Sequence, residues 1–383
     1  MLNVQNACVK ASRQGVLCMW HGLSIGGWLR LLSYKPKFTA AYAFRWASIS
    51  ALSVLTSAEN LLESAVYGRK VARTAIEHPP IFVLGHWRSG TTLLHNLMTM
   101  DPELTYPNLY QCMYPGHFLL TESIITRLTK SLIPKTRPMD NISTTWHTPQ
   151  EDEIAIAMDC GLSPYLMLAF HMRQDIYGRY FDPREMTEEE RTIWKGSLLR
   201  LIQKLTIRKN RSVVLKSPSH TYRVATLLEM FPNAKFVYIY RDPYAVYNSS
   251  MHLRQTMFAE NSLYPPDPEG SEDEMVMLYE KCIRTYEETK SLIPAGNLHE
   301  VRFEDLEVDP LGEVAQTYKA LGLSSWSSVE PLIKAEVPKL TEYKKNLFRM
   351  DREKMKQIYQ RIKWIFNQYG YSSRLEDSEV PVS

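Results

Sequence analysis

The run Ile81-Phe82-Val83-Leu84 is wholly apolar and ends on Gly85-His86-Trp87-Arg88-Ser89-Gly90-Thr91-Thr92, after which Leu93, Leu94, Leu97 and Met98 repeat at helical spacing. Four apolar residues between Pro79-Pro80 and a glycine read as a short buried strand. A strand, a glycine-bounded loop and a helix in direct succession aim backbone N–H groups and a helix N-terminus at one point. That arrangement suits an anion. The unit suits an α/β architecture, in which helices cover a sheet whose strands are apolar on both faces.

The same pattern recurs downstream. Ser212-Val213-Val214-Leu215 ends at Lys216-Ser217-Pro218 and leads to a helix from about Thr221 to Met230. Lys235–Tyr240 ends at Arg241-Asp242-Pro243 and leads to a helix near 244–253, and His299–Phe303 is a further strand candidate. Strands alternating with helices imply βαβ units and a mostly parallel central sheet flanked by helices. Ligands of such sheets bind beyond the carboxyl ends of the strands. Loops 85–92, 216–220 and 241–249 all leave such ends, so they are expected to converge. Elsewhere, residues 187–209 read as an amphipathic helix with Glu188–Glu190 in its first turn, where the dipole favours acids. Residues 101–150 read as loop with short helices, and 261–273 as a polar loop.

Composition removes whole classes. The 383 residues are 44% hydrophobic and 23% charged, with a formal charge of 45 − 42 = +3. This is the composition of a globular protein, too weakly basic to coat nucleic acid. The five cysteines (Cys8, Cys18, Cys112, Cys160, Cys282) are odd in number and scattered, with no CxxC pair. They favour a reducing compartment, the cytoplasm, over a disulfide framework or zinc site. Residues 1–78 form a helical N-terminal extension, and residues 79–383 the α/β domain with a helical C-terminal extension. Val16–Leu29 is too short to span a bilayer and lacks a basic start, and Phe38–Ala58 carries Arg45 as its only charge. These helices either pack on the body or lie in a membrane interface with Trp20, Trp28 and Trp46 at headgroup level.

Gly85–Thr92 has the G-x-x-x-x-G outline of a phosphate loop, but Thr91 stands where a Walker loop has the lysine that contacts the β/γ-phosphates. Transfer of a γ-phosphoryl group therefore lacks a principal element. A cation stands inside the loop instead, as Arg88. This segment resembles the sulfotransferase superfamily, whose sulfuryl donor is 3′-phosphoadenosine-5′-phosphosulfate. The family's 5′-phosphosulfate loop corresponds to Arg88-Ser89-Gly90-Thr91-Thr92. Its 3′-phosphate signature, an Arg at a strand end and a Ser eight residues later, corresponds to Arg241 and Ser249. The resemblance covers about 79–370 and implies a P-loop-like three-layer fold, closest to the bacterial branch with Leu-Lys-Ser-Pro at 215–218. The chemistry agrees: one anion needs a backbone cradle with a cation, the other a guanidinium fork with a hydroxyl.

Sulfuryl transfer to a hydroxyl is an in-line displacement that needs a base at the acceptor and positive charge near the bridging oxygen. No metal is expected. The resemblance places Lys216 at the transferring group, but the position of the catalytic His of cytosolic relatives holds Pro218, and His220 is the nearest imidazole. Trp146-His147-Thr148-Pro149-Gln150-Glu151-Asp152-Glu153 supplies further candidates, competing with a plain helix start capped by Thr148 with Pro149 in its first position. The order of expectation for the base is Glu151, His220, His147, while His86 and His95 beside the loop read as structural. Tyr343-Lys344-Lys345-Asn346 resembles the late basic segment that closes over the donor, with Lys344 as its binding residue. The expected acceptor is a hydroxyl of a carbohydrate, lipid or small metabolite, met by residues 101–185 and 255–275. Two other readings stand beside this one: a nucleotide or metabolite kinase with a degenerate loop, and a nucleotide-binding module without catalysis.

Overall fold

The computed structural model describes residues 18–133, 144–267, 269–341, 348–375 and 379–382. They divide into two compact units, interleaved along the chain. One holds residues 79–105, 214–253 and 271–383, and the other 1–78, 106–213 and 254–270. The N-terminal helices thus share their unit with later segments rather than standing alone.

The first of these units is built on a five-stranded sheet. Its strands are β1 (Ile81–Leu84), β2 (Leu104–Thr105), β3 (Ser212–Lys216), β4 (Lys235–Tyr240) and β5 (Leu298–Arg302), in the order β2-β3-β1-β4-β5. β1 lies parallel between β3 and β4, with Val83 opposite Lys216 and Leu84 opposite Tyr238. β5 continues the parallel set, with Tyr240 opposite Arg302. One face packs Ile81, Val83, Val214, Val237 and Ile239 against Leu94, Leu97 and Met98 of the helix Thr91–Met98. The other turns Phe82 onto Phe236 at 5.6 Å between ring centres. Burial on both faces is why these strands read as unbroken apolar runs. A separate antiparallel pair joins β6 (Phe348–Asp351) to β7 (Glu379–Val382).

β1 and β4 have the bounds expected from the sequence, and β3 runs one residue further, to Lys216. The segment after β3 differs: a 3-10 turn over Pro218–Tyr222 precedes a shorter helix, Val224–Met230, because Pro218 starts a tight turn. The helix after Asp242 runs from Pro243 to Asn261, well past 253. Ser262 and Leu263, assigned to a polar loop, are fully buried.

In the second unit, the helix expected within 38–58 begins at Ala43 and runs on to Arg73, 31 residues. The helix Glu188–Arg208 has Thr187 as its cap, with Glu190 reaching back in a reciprocal capping box. The three tryptophans make their polar contacts within the protein. The Trp20 indole N–H donates to the Asn261 carbonyl at 2.6 Å, that of Trp28 to Ser50 Oγ at 2.9 Å, and that of Trp46 to the Leu263 carbonyl at 2.9 Å. Each polar handle is satisfied within the protein; Trp20 and Trp28 are buried and Trp46 half-buried. No described helix is long and apolar enough to cross a membrane.

Candidate active site

The loop between β1 and the helix Thr91–Met98 turns on positive φ angles at Gly85 (141°), Arg88 (70°) and Gly90 (102°). A Cβ on Gly90 would stand 2.2 Å from the Phe303 ring. Both its conformation and its neighbour therefore demand glycine. Ser89 folds its hydroxyl back onto the His86 carbonyl at 2.8 Å, closing the turn, while Thr91 and Thr92 open the helix. Arg88 holds the left-handed region without being glycine, a conformation kept only where surrounding contacts over-determine it.

Those contacts come from the other motif loops. Arg88 Nε donates to Ser249 Oγ at 2.7 Å. Arg241 Nη1 donates to the Arg88 carbonyl at 3.1 Å. Gly85 N–H donates to Thr221 Oγ1 at 2.8 Å, tying in the segment after β3. The three loops expected to converge at the carboxyl edge of the sheet do so.

Arg241 is the centre of charge. Its guanidinium lies 4.1 Å over the Phe303 ring, and its Nε is buried with no hydrogen-bond partner. Burial holds its pKa below the ordinary value; Glu307 and Glu304 pull it back up, and Arg88 pushes it further down. Asp242 adds its charge to that of the two glutamates but bonds elsewhere. That carboxylate accepts from the Tyr244 and Ala245 N–H groups at 2.9 and 3.1 Å, capping the Pro243 helix, and pairs with Arg374. Glu304 Oε1 accepts from Asp242 N–H at 3.0 Å, and its other oxygen from the Tyr371 hydroxyl at 2.8 Å. Asp242 and Glu304 are thus committed to the scaffold. Its unpartnered Nε and the adjacent Arg88 favour an incoming anion. Ser249 Oγ accepts from Arg88, so its own proton remains able to donate.

Lys216 is buried at the last position of β3, beside β1. His220 is fully buried, edge-on to Phe82 at 5.1 Å. His86 is buried against Trp87 and Tyr279, and His95 is buried on the Thr91 helix. In the second unit, Glu151 precedes the helix Asp152–Asp159 and accepts a hydrogen bond from the Tyr165 hydroxyl, and His147 is exposed. That helix starts three residues later than a Thr148 cap requires, because Gln150 N–H is drawn into a bond with the Pro107 carbonyl. Lys344 lies outside the described residues.

Two residues at the site were not singled out from the sequence. Phe303 reads as the end of a strand, whereas β5 stops at Arg302 and Phe303 opens the short helix Phe303–Val308, which carries the ring under Arg241. His252 stands three positions after Ser249 on the same helix, and burial followed by the Arg88 charge lowers its pKa. The i, i+3 spacing from Ser249 is the signal that could have found it.

A parallel sheet with Arg88, Arg241 and Ser249 gathered at its strand ends brings the two motifs of the resemblance to one edge. The chain belongs to the sulfotransferase family, which it matches over residues 79–328, and it is an enzyme of that class. Family membership decides against the kinase reading. Two relatives share 37% identity over 362 residues, covering 94% of this chain and 92% of their own length. They are the omega-hydroxy-beta-dihydromenaquinone-9 sulfotransferases Stf3 of Mycobacterium bovis and Mycobacterium tuberculosis. Among solved structures, sulfotransferase STF9 from Mycobacterium avium superposes with a TM-score of 0.67 at 17% identity, covering 97% of this chain and 98% of that one. STF1 from Mycobacterium tuberculosis gives 0.58 at 18%, covering 89% and 98%. These structural likenesses establish the shared fold.

Proposed function

We propose that this enzyme moves a sulfuryl group from 3′-phosphoadenosine-5′-phosphosulfate to the hydroxyl of a lipid, working in the cytoplasm. The observation that carries the donor assignment is the joined set Arg88, Arg241 and Ser249, in which Arg241 Nε is buried without a partner. An isolated guanidinium donor in that position is costly unless an anion completes it. Arg241 and Ser249 would hold the 3′-phosphate. The loop 88–92, with the Thr91 helix N-terminus, would cradle the phosphosulfate. The donor supplies an activated S–O bond; that bond breaks as the acceptor oxygen bonds to sulfur, and the acceptor proton passes to a protein base. Lys216 and Arg88 would offset the charge that grows on the departing phosphate oxygen. Glu151 is the first candidate for the base. The lipid acceptor rests on the Stf3 relatives, whose names specify a menaquinone-derived substrate.

Calorimetry in EDTA tests the donor site. The product nucleotide, 3′,5′-adenosine bisphosphate, should bind without metal and at least about tenfold more tightly than AMP, since one charged contact is worth roughly 1.5–3 kcal/mol. Equal affinities overturn the assignment. Incubation with radiolabelled donor and separate lipid, glycan and phenol fractions tests the acceptor, and label confined to glycans or phenols would exclude a lipid.

A further inference from the structure

The helix Ala43–Arg73 is built inside out. Its inward face carries Arg45, Ser53, Thr56 and Glu63 beside Ile49 and Val71, all buried. Arg45 Nη1 donates to the Ser262 carbonyl at 2.6 Å; Glu63 pairs with Lys204 at 2.5 Å and accepts from Leu120 N–H at 3.1 Å. Its outward face carries Phe44, Val54, Leu55, Leu61, Leu62 and Val66, with Phe44 75% and Leu61 74% exposed. At 1.5 Å per residue the apolar stripe runs about 33 Å. An ordinary surface helix does the reverse, and a continuous exposed apolar stripe marks an interaction surface.

The charges at its ends identify the occupant. Lys35 and Lys37 are exposed before the helix and Arg69, Lys70 and Arg73 in its last turns, while the exposed Glu77 that follows is bonded by the Asn210 amide. Arg69 and Arg73 continue the apolar stripe, seven and eleven positions beyond Leu62. A second copy laid along this face, in either direction, would set basic ends against basic ends. An anionic bilayer surface instead meets apolar side chains with acyl chains and basic ends with headgroups. The buried ion pair and hydrogen bonds of the inner face keep the helix on the protein, so it lies in the interface and does not cross.

We infer that the outer face of the helix Ala43–Arg73 docks the enzyme on anionic lipid membranes. This inference stands independently of the acceptor assignment, and its test requires no turnover. Flotation of the full chain with vesicles of phosphatidylcholine and phosphatidylglycerol in equal parts should carry it upward, more than with phosphatidylcholine alone. Leu55→Ser with Leu62→Ser should lower the partition coefficient on the order of tenfold or more, as both leucines lose their apolar insertion. Arg69→Gln with Arg73→Gln should lower it several-fold on the anionic vesicles alone. Circular dichroism melts must show both pairs folded. Leu61→Trp provides a second measurement: brominated acyl chains should quench it beyond the level seen with the eight native tryptophans. Absence of flotation, flotation indifferent to both pairs of substitutions, or a dimer in sedimentation that Leu55→Ser with Leu62→Ser dissociates would each overturn the inference.

Discussion

Arg88 Nε and Ser249 Oγ, 161 positions apart in the chain, meet at 2.7 Å. This bond joins the loop after β1 to the helix after β4 and makes one site of two separate motifs. It also holds Arg88 in its left-handed conformation, because the side chain is tethered to Ser249 while its carbonyl accepts from Arg241.

Arg241→Gln should weaken binding of 3′,5′-adenosine bisphosphate by roughly 1.5–3 kcal/mol, and Ser249→Ala by roughly 0.5–1.5 kcal/mol. Neither should change AMP affinity much, since AMP has no 3′-phosphate. Titration of both nucleotides against both variants checks this. Parallel losses for the two nucleotides would mean that the pair supports the loop and contacts no phosphate.

Gly90→Ala should damage the cradle twice, through the φ of 102° and through the Phe303 ring. The expected destabilisation is about 1–3 kcal/mol, with donor affinity lost as well. Phe303→Leu in the same background should recover the steric share only, so a double-mutant cycle by thermal melting should show coupling of roughly 1 kcal/mol. Strict additivity would leave the φ strain as the whole effect.

Arg88→Ala and Lys216→Ala should each lower kcat by about 10²–10³-fold, the scale for losing a charge contact in the transition state. Glu151→Gln should lower it by about 10²–10⁴-fold with bisphosphate affinity unchanged. His220→Ala should act mainly on the melting temperature, since its ring packs in the core against Phe82. Turnover abolished by His252→Asn and kept by Glu151→Gln would place the base on the donor-side helix instead.

Two buried histidines set an acid limit on stability. Burial and the Arg45 charge hold His21 at about 4, and burial and Lys204 hold His117 at about 4. For His117, burial outweighs the Glu59 carboxylate 3.3 Å away. Between the ordinary value of 6.5 and about 4, the unfolded chain takes up a proton at each site that the folded chain excludes. Stability therefore falls as pH drops through that window, by up to about 1.4 kcal/mol per pH unit for each histidine. Above 6.5 these groups contribute no pH dependence. Melting temperatures of the wild type and of His21→Asn with His117→Gln, followed from pH 7.5 to 4.5 as roughly even steps in the window of these groups, should show the flatter profile in the variant.

The sequence by itself determined the strands β1, β3 and β4, the glycine turns and the Arg88, Arg241 and Ser249 motifs. Each is legible locally: four apolar residues between breakers make a buried strand, and positive φ at Gly85 and Gly90 selects glycine, a choice that the distant Ile239 and Phe303 reinforce. Only the tertiary structure decided what distant contacts control. Arg88 meets Ser249, Phe303 lies under Arg241, and His220, the imidazole nearest the Lys216 motif, is fully buried beside Phe82. The helix Ala43–Arg73 shows the reason most directly. Its composition allowed either face to turn inward. The choice fell to Arg45 and Glu63, whose partners Ser262 and Lys204 lie well over a hundred residues away. Once those charges were satisfied inside, Leu55 and Leu62 had to face out.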